Sequence, residues 1–346
     1  MDKWVKLFQS NTSCIIGNKI YFVTESEKLV IEMELPSFEV NVFNGLMLEN
    51  RVEFIGSCNN CLFAVDIAGK WICEINLENN KVFYYSLNCN RETVNNFCSI
   101  SIFHNKIYIF MRHENNLYIF DCLSKKLVCE KLNICDDPYF IKSCRAGNKI
   151  YLFSIKYRNY YVYHLDNKKL EKNSLSIEDE LSGTYVKDDS IYLLSNNVVY
   201  DLNNNYNVVA KIENENILTK IVKVKNVMYF LPGLGSDIFK YNLENHTYEK
   251  LLEYPCDYQY DIPEGWGKFI GRVENETYII WNMRSNNYFF IINKKSGAEK
   301  FVKPKFINME NDYWKREFWE SGFETRGCIK ESIFTLNDFI EYIKSY

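Results

Sequence analysis

Asn148-Lys149-Ile150-Tyr151-Leu152-Phe153 is one of seven versions of the same apolar motif, whose aromatic position falls at Tyr21, Phe63, Tyr108, Tyr151, Tyr192, Tyr229 and Tyr278. Intervals of 42, 45, 43, 41, 37 and 49 residues separate these positions, a period that suits the four-stranded blade of a β-propeller. Working outward from each copy, a short strand precedes it and a hairpin follows it, so each unit reads as four strands, A to D, with the motif as strand B. In the third unit these are Ser99-Phe103, Lys106-Met111, Leu117-Asp121 and Lys126-Leu132. Ile107 and Ile109 alternate with Tyr108 and Phe110, so both faces are apolar, as a sheet sandwiched between two others requires.

The C-to-D hairpins are the most regular part. Tyr161-Val162-Tyr163-His164-Leu165-Asp166-Asn167-Lys168-Lys169-Leu170 and Phe239-Lys240-Tyr241-Asn242-Leu243-Glu244-Asn245 each run a β-rich strand into an Asn/Asp/Lys turn. An Ile-Tyr-x-Phe strand followed by Tyr-x-Tyr-Asp/Asn-Leu and a Lys-bearing turn resembles the Kelch-type β-propeller over most of the chain. It departs from that pattern after strand B, where Thr24-Glu25, Met111-Arg112, Ser154-Ile155, Ser195-Asn196 and Trp281-Asn282 stand in place of a Gly-Gly doublet. The expected fold is therefore all-β, a seven-bladed propeller of four-stranded antiparallel blades, with six or eight blades as alternatives. The propeller should occupy residues 1-304, with no strand exchange between its ends and almost no helix.

Residues 305-346 differ in kind. Tyr313, Trp314, Phe318, Trp319 and Phe323 lie among charges without strand alternation. Ile333, Leu336, Phe339, Ile340 and Ile343 then recur at three and four residues, which predicts a short amphipathic helix packed on the propeller.

Composition narrows the function classes. Hydrophobic residues make up 47% and aromatics 16% of 346 residues, ample for a core between blades. A formal charge of -4 gives no basic field, so nucleic-acid binding is not expected. No apolar run reaches the length of a membrane span, and Met1-Asp2-Lys3-Trp4-Val5-Lys6 lacks a signal-type apolar stretch. With 12 cysteines in a large chain without an export signal, free thiols and a cytoplasmic location are the expectation.

Motifs for chemistry are sparse. Cys58-Asn59-Asn60-Cys61 has CxxC spacing, yet it falls at the turn between strands A and B, and zinc would need two further ligands. Pro232-Gly233-Leu234-Gly235 leads from strand to strand, where no helix N-terminus can hold phosphate. No catalytic residue, metal or cofactor is expected. Topology supplies the better argument, because in a propeller all B-to-C and D-to-A loops emerge on one face. That face should collect Arg112, His113, Lys156, Tyr157, Arg158, Trp281 and Arg284 from the first kind of loop, and Tyr258, Asp261 and Trp266 from the second. Guanidinium groups beside aromatic rings suit an anion. The function expected is a non-catalytic interaction propeller holding a protein, peptide or acidic glycan. The alternative, implied by the Kelch resemblance, is a carbohydrate-active enzyme of sugar isomerase, epimerase or oxidase type.

Overall fold

The computed structural model describes residues 10, 12–24, 28–87, 97–112, 114–134, 140, 142–154, 158–233, 237–251, 253–256, 269–283 and 288–307. Their strands form seven sheets, each with four consecutive antiparallel strands, and the first carries a fifth strand in addition. The first sheet is β1 (Ser13–Ile16), β2 (Lys19–Val23), β3 (Leu29–Glu34) and β4 (Glu39–Met47), and the second is β5 (Val52–Cys58), β6 (Cys61–Asp66), β7 (Trp71–Asn76) and β8 (Val82–Ser86). The third comprises β9 (Phe97–Phe103), β10 (Lys106–Met111), β11 (Asn116–Asp121) and β12 (Leu127–Lys131), and the fourth β13 (Lys142–Ala146), β14 (Lys149–Ser154), β15 (Asn159–His164) and β16 (Leu170–Ser174). β17 (Leu181–Lys187), β18 (Ser190–Ser195), β19 (Val198–Asp201) and β20 (Asn207–Lys211) make the fifth, and β21 (Leu218–Val224), β22 (Val227–Pro232), β23 (Phe239–Asn242) and β24 (Thr247–Lys250) the sixth. The seventh is β25 (Phe269–Glu274), β26 (Tyr278–Met283), β27 (Phe289–Asn293) and β28 (Glu299–Val302).

Two compact units emerge, Met1–Ile55 with Glu253–Tyr346, and Gly56–Leu252. In the first unit, Ile20, Phe22, Ile31 and Met33 of the first sheet share one core with Val273, Ile280, Phe289 and Ile291 of the seventh. Every sheet keeps its own four strands. A two-residue strand, β29 (Lys305–Phe306), nevertheless adds to the edge of the first sheet, parallel to β4, with the Ile307 amide donating to the Val40 carbonyl at 2.9 Å. The chain after Pro304 thus begins as sheet. The expected amphipathic helix lies outside the described residues.

In the second unit, Tyr108, Phe110, Leu117 and Ile119 of the third sheet pack on Ile150, Leu152, Tyr161 and Tyr163 of the fourth. Phe153 and Ala146 of the fourth meet Leu181, Ile191 and Leu193 of the fifth. Burial on both faces of one sheet explains why strand B reads as a continuous apolar run.

Turn chemistry sets the registers. Asn59 and Asn60 both have positive φ, 49° and 56°, as do His104 and Asn105 at 43° and 60° and Asp188 and Asp189 at 49° and 64°. Two successive left-handed residues are what a two-residue hairpin whose twist matches the strands demands, and Asn and Asp tolerate that conformation. Cys58 and Cys61 therefore flank a tight A-to-B hairpin. At the C-to-D turns a side-chain oxygen caps the bend: the Asp121 carboxylate Oδ1 accepts from the Leu123 and Ser124 amides at 3.0 and 2.8 Å, and the Asn293 amide Oδ1 from the Lys295 and Ser296 amides at 2.9 and 3.0 Å. Lys125 and Lys168 then take the left-handed position, with φ of 59° and 60°. The one helical segment among the described residues is a single 3-10 turn, Leu202–Asn204. None of their helices is long and apolar enough to cross a membrane.

Candidate functional site

In the second unit the first strands of consecutive sheets, β9, β13, β17 and β21, lie against one another. Close approach is built into their sequence. Gly183 in β17 faces the Thr219 carbonyl of β21 so tightly that a Cβ would overlap it. Hydroxyl groups stitch the same strands together, with Ser143 Oγ donating to the Cys98 carbonyl at 2.9 Å and Thr184 Oγ1 to the Ser143 carbonyl at 3.2 Å. The result is a rigid backbone that fixes whatever side chains sit at the ends of these strands.

At the end where B strands finish and A strands begin, two cations come within each other's field. Arg112 follows β10 directly and its carbonyl accepts from the Phe140 amide at 3.0 Å. Its Nε is buried and has no hydrogen-bond partner. Lys142 opens β13 and is partly buried. Burial and then the neighbouring Arg112 charge push its ammonium below the usual lysine range, against the weaker opposing pulls of Glu180 and Cys98. Among the described residues no carboxylate comes within ion-pair distance of either cation. Glu180, just before β17, is exposed. Cys98, the second residue of β9, completes the group. Burial pushes its thiol up to about 12, although Arg112, Ser143 and Lys142 pull the other way, so it stays protonated at neutral pH.

Two like charges partly withdrawn from water raise each other's energy, and an anion placed between them would remove that cost. A guanidinium edge and an ammonium together suit a carboxylate, sulfate or phosphate. Among the described residues no group of three or more His, Cys, Asp or Glu side chains has a metal-binding arrangement.

Of the residues expected on the loop face, Arg112 is the one that the structure places in this cluster. Arg158 is exposed in a left-handed turn with φ of 46°, its carbonyl accepting from the Leu175 amide at 2.9 Å. Trp281 needs correction as a loop platform. It lies inside β26, 0% exposed, its ring 5.9 Å from that of Phe290, and its Nε1 has no partner. Strand B runs two residues beyond Trp281, and the sheet's second apolar face takes the ring. His113, Lys156, Tyr157, Arg284, Tyr258, Asp261 and Trp266 lie outside the described residues. Lys142, Glu180 and Cys98 went unread in the sequence because a lysine opening a strand looks the same whether it is solvated or enclosed.

Seven four-stranded sheets with apolar faces and a cationic cluster at the A-strand starts define a β-propeller with a candidate anion site. No protein-family model matches the chain, the Kelch type included, and no curated protein sequence matches it either. Solved structures do. A catalytically inactive virginiamycin B lyase from Staphylococcus aureus, solved with quinupristin, is 12% identical with a TM-score of 0.61, over 81% of this chain and 94% of that one. Sqt1 of Saccharomyces cerevisiae is 10% identical with a TM-score of 0.57, over 88% and 87%. The computationally designed protein Ika8 is 8% identical with a TM-score of 0.56, over 89% and 93%. At such identities the likeness establishes the seven-bladed propeller fold and leaves the function to the site.

Proposed function

We propose that this chain is a non-catalytic binding propeller, of Kelch-like repeat grammar, that holds an anionic ligand at the B-to-C and D-to-A end of its sheets. An acidic peptide, an acidic segment of a protein, or an acidic glycan has the chemistry required. One observation carries the reading: Arg112, with a buried and unpartnered Nε, lies within the field of Lys142, and no described carboxylate forms an ion pair with either, Glu180 acting on Lys142 only weakly. Structural cations are ordinarily paired once they leave water. The cytoplasmic location read from the sequence goes with this proposal.

A thermal-shift and calorimetric screen of uronic acids, sulfated sugars and Asp/Glu-rich peptides tests it, repeated with Arg112→Ala and Lys142→Ala. Each substitution should weaken a genuine hit by about 2 kcal/mol, near 30-fold in Kd. Hits whose affinity survives both substitutions unchanged would place binding elsewhere on the molecule.

A further inference from the structure

We infer that Cys58 and Cys122 form a redox modification site, in which a small hydroperoxide closes a reversible disulfide that ties the second sheet to the third. The contacts that bring them together centre on one residue, Asn105, in the A-to-B turn of the third sheet. Cys58 ends β5, and its Sγ donates to Asn105 Oδ1 at 3.1 Å. Cys122 directly follows β11, and its amide donates to the Asn105 carbonyl at 2.7 Å. Both cysteines are buried and free, and their thiols hydrogen-bond to each other over this asparagine. Two thiols from different sheets are thus already in contact.

The CxxC spacing points to a different partner for Cys58. Cys61 sits at the other end of the same two-residue turn, yet its thiol donates to the Glu74 carboxylate, whose two oxygens also hold Lys125 and Tyr85. An anionic acceptor disfavours ionisation of Cys61. Cys122 instead offers its hydrogen to Cys58, which favours a thiolate there. Burial raises both thiols of the pair, and the Lys125 ammonium pulls both down. Cys58 is therefore the sulfur that attacks and Cys122 the one that resolves.

The step balances with the peroxide as oxidant. With hydrogen peroxide, the Cys58 thiolate attacks one oxygen, the O–O bond breaks, and hydroxide leaves to become water with the proton that Cys58 has lost. Cys58 is then a sulfenic acid. The Cys122 sulfur attacks it, the S–S bond forms as the S–O bond breaks, and the oxygen departs as a second water with the Cys122 proton. The two thiols lose two electrons and the peroxide gains them. A small dithiol reverses the bond by exchange.

Hydrogen peroxide is also the probe. The reduced full-length protein, folded and near neutral pH, is treated until thiol loss stops. Remaining thiols are blocked with N-ethylmaleimide, and linked peptides are mapped by mass spectrometry. Among links within one molecule, Cys58–Cys122 should dominate, and dithiothreitol should remove it. Cys61→Ser should leave this link in place. Oxidation should also raise the urea midpoint of the wild-type protein relative to Cys122→Ser treated alike, because the bond closes a long loop between packed sheets. Recovery of Cys58 and Cys122 as maleimide adducts, or a Cys58–Cys61 link in their place, would overturn the inference. So would a midpoint that fails to rise, since sulfurs that meet in the native fold close that loop without distorting it.

Discussion

Lys125, at the left-handed position of the turn between β11 and β12, places its ammonium 2.5 Å from Oε1 of Glu74 in β7, so the third sheet is pinned to the second by one ion pair. Tyr85 donates to the other carboxylate oxygen at 2.7 Å, and the Lys125 ammonium lies 5.1 Å from the centre of the Phe63 ring. Lys168 of the fourth sheet makes the same reach to Glu130 of the third. The lysine in the repeat's turn is thus a staple between neighbouring sheets. Replacing Lys125 with Met leaves Glu74, 7% exposed, without its cation. We expect a loss of about 2 kcal/mol, read as a lower urea midpoint at unchanged slope. Lys168→Met, whose partners are more exposed, should cost under about 1 kcal/mol.

The same pair sets an acid limb. Burial alone would push the Glu74 carboxyl up, but Lys125, Tyr85 and Cys61 outweigh it and hold the group below its usual 4.5. A carboxyl depressed in the folded state contributes stability that is complete above its unfolded value and is lost as pH falls through the folded value. Stability should therefore decline on acidification below about 4.5, the ordinary glutamate value. Glu74→Gln should be less stable than wild type at neutral pH and show a shallower decline over that window, measured by urea titration at a series of pH values.

Gly183 has no room for a side chain. An added Cβ would overlap the Thr219 carbonyl oxygen and touch Leu194 Cδ2 at 3.5 Å. The obstacle is backbone, which cannot rotate away. Gly183→Ala should cost about 2 to 3 kcal/mol by forcing β17 and β21 apart. Since β17 also carries Thr184 on the Ser143 carbonyl, the substitution should weaken anion binding near Lys142 too.

Backbone pairing of β29 to β4 makes a discrete prediction. The amides of Lys305 and Ile307 donate to the carbonyls of Phe38 and Val40 at 2.8 and 2.9 Å. Ile307→Pro removes one donor and should cost about 1 kcal/mol. Hydrogen exchange would show faster opening at Lys305, with the hydrogen bonds of β6 and β7 unaffected.

Thiol reactivity should divide by burial. Cys61 is pushed up to about 11, first by burial and then by Glu74, and Cys58 and Cys122 are raised by burial too. Cys256 is exposed. Iodoacetamide at neutral pH should label Cys256 well before these three, and denaturation should abolish the difference, as read by peptide mass spectrometry.

The repeat was legible without coordinates because it is written in local rules. Continuous apolar strand-B runs, Asn and Asp at left-handed turns and tyrosine-rich C strands are each fixed within a few residues, and seven copies reinforce one another. The seven sheets follow, with strand ends within one or two residues in the third unit. The site was legible only in Arg112, because which end a loop leaves from is topology, whereas what a side chain meets there depends on sheets far apart in sequence. Trp281 shows the limit: strand B continues through it to Met283, and the ring belongs to the core. Lys142 shows the converse. Its meaning comes from Arg112 thirty residues earlier and Cys98 in the preceding A strand, a juxtaposition created when β9 and β13 pack together. Sequence alone determined the repeat, its strand count and its turns, since these are short-range backbone preferences. Only the tertiary structure decided which charges are left enclosed and unpaired, because burial and electrostatic fields are properties of packed neighbours.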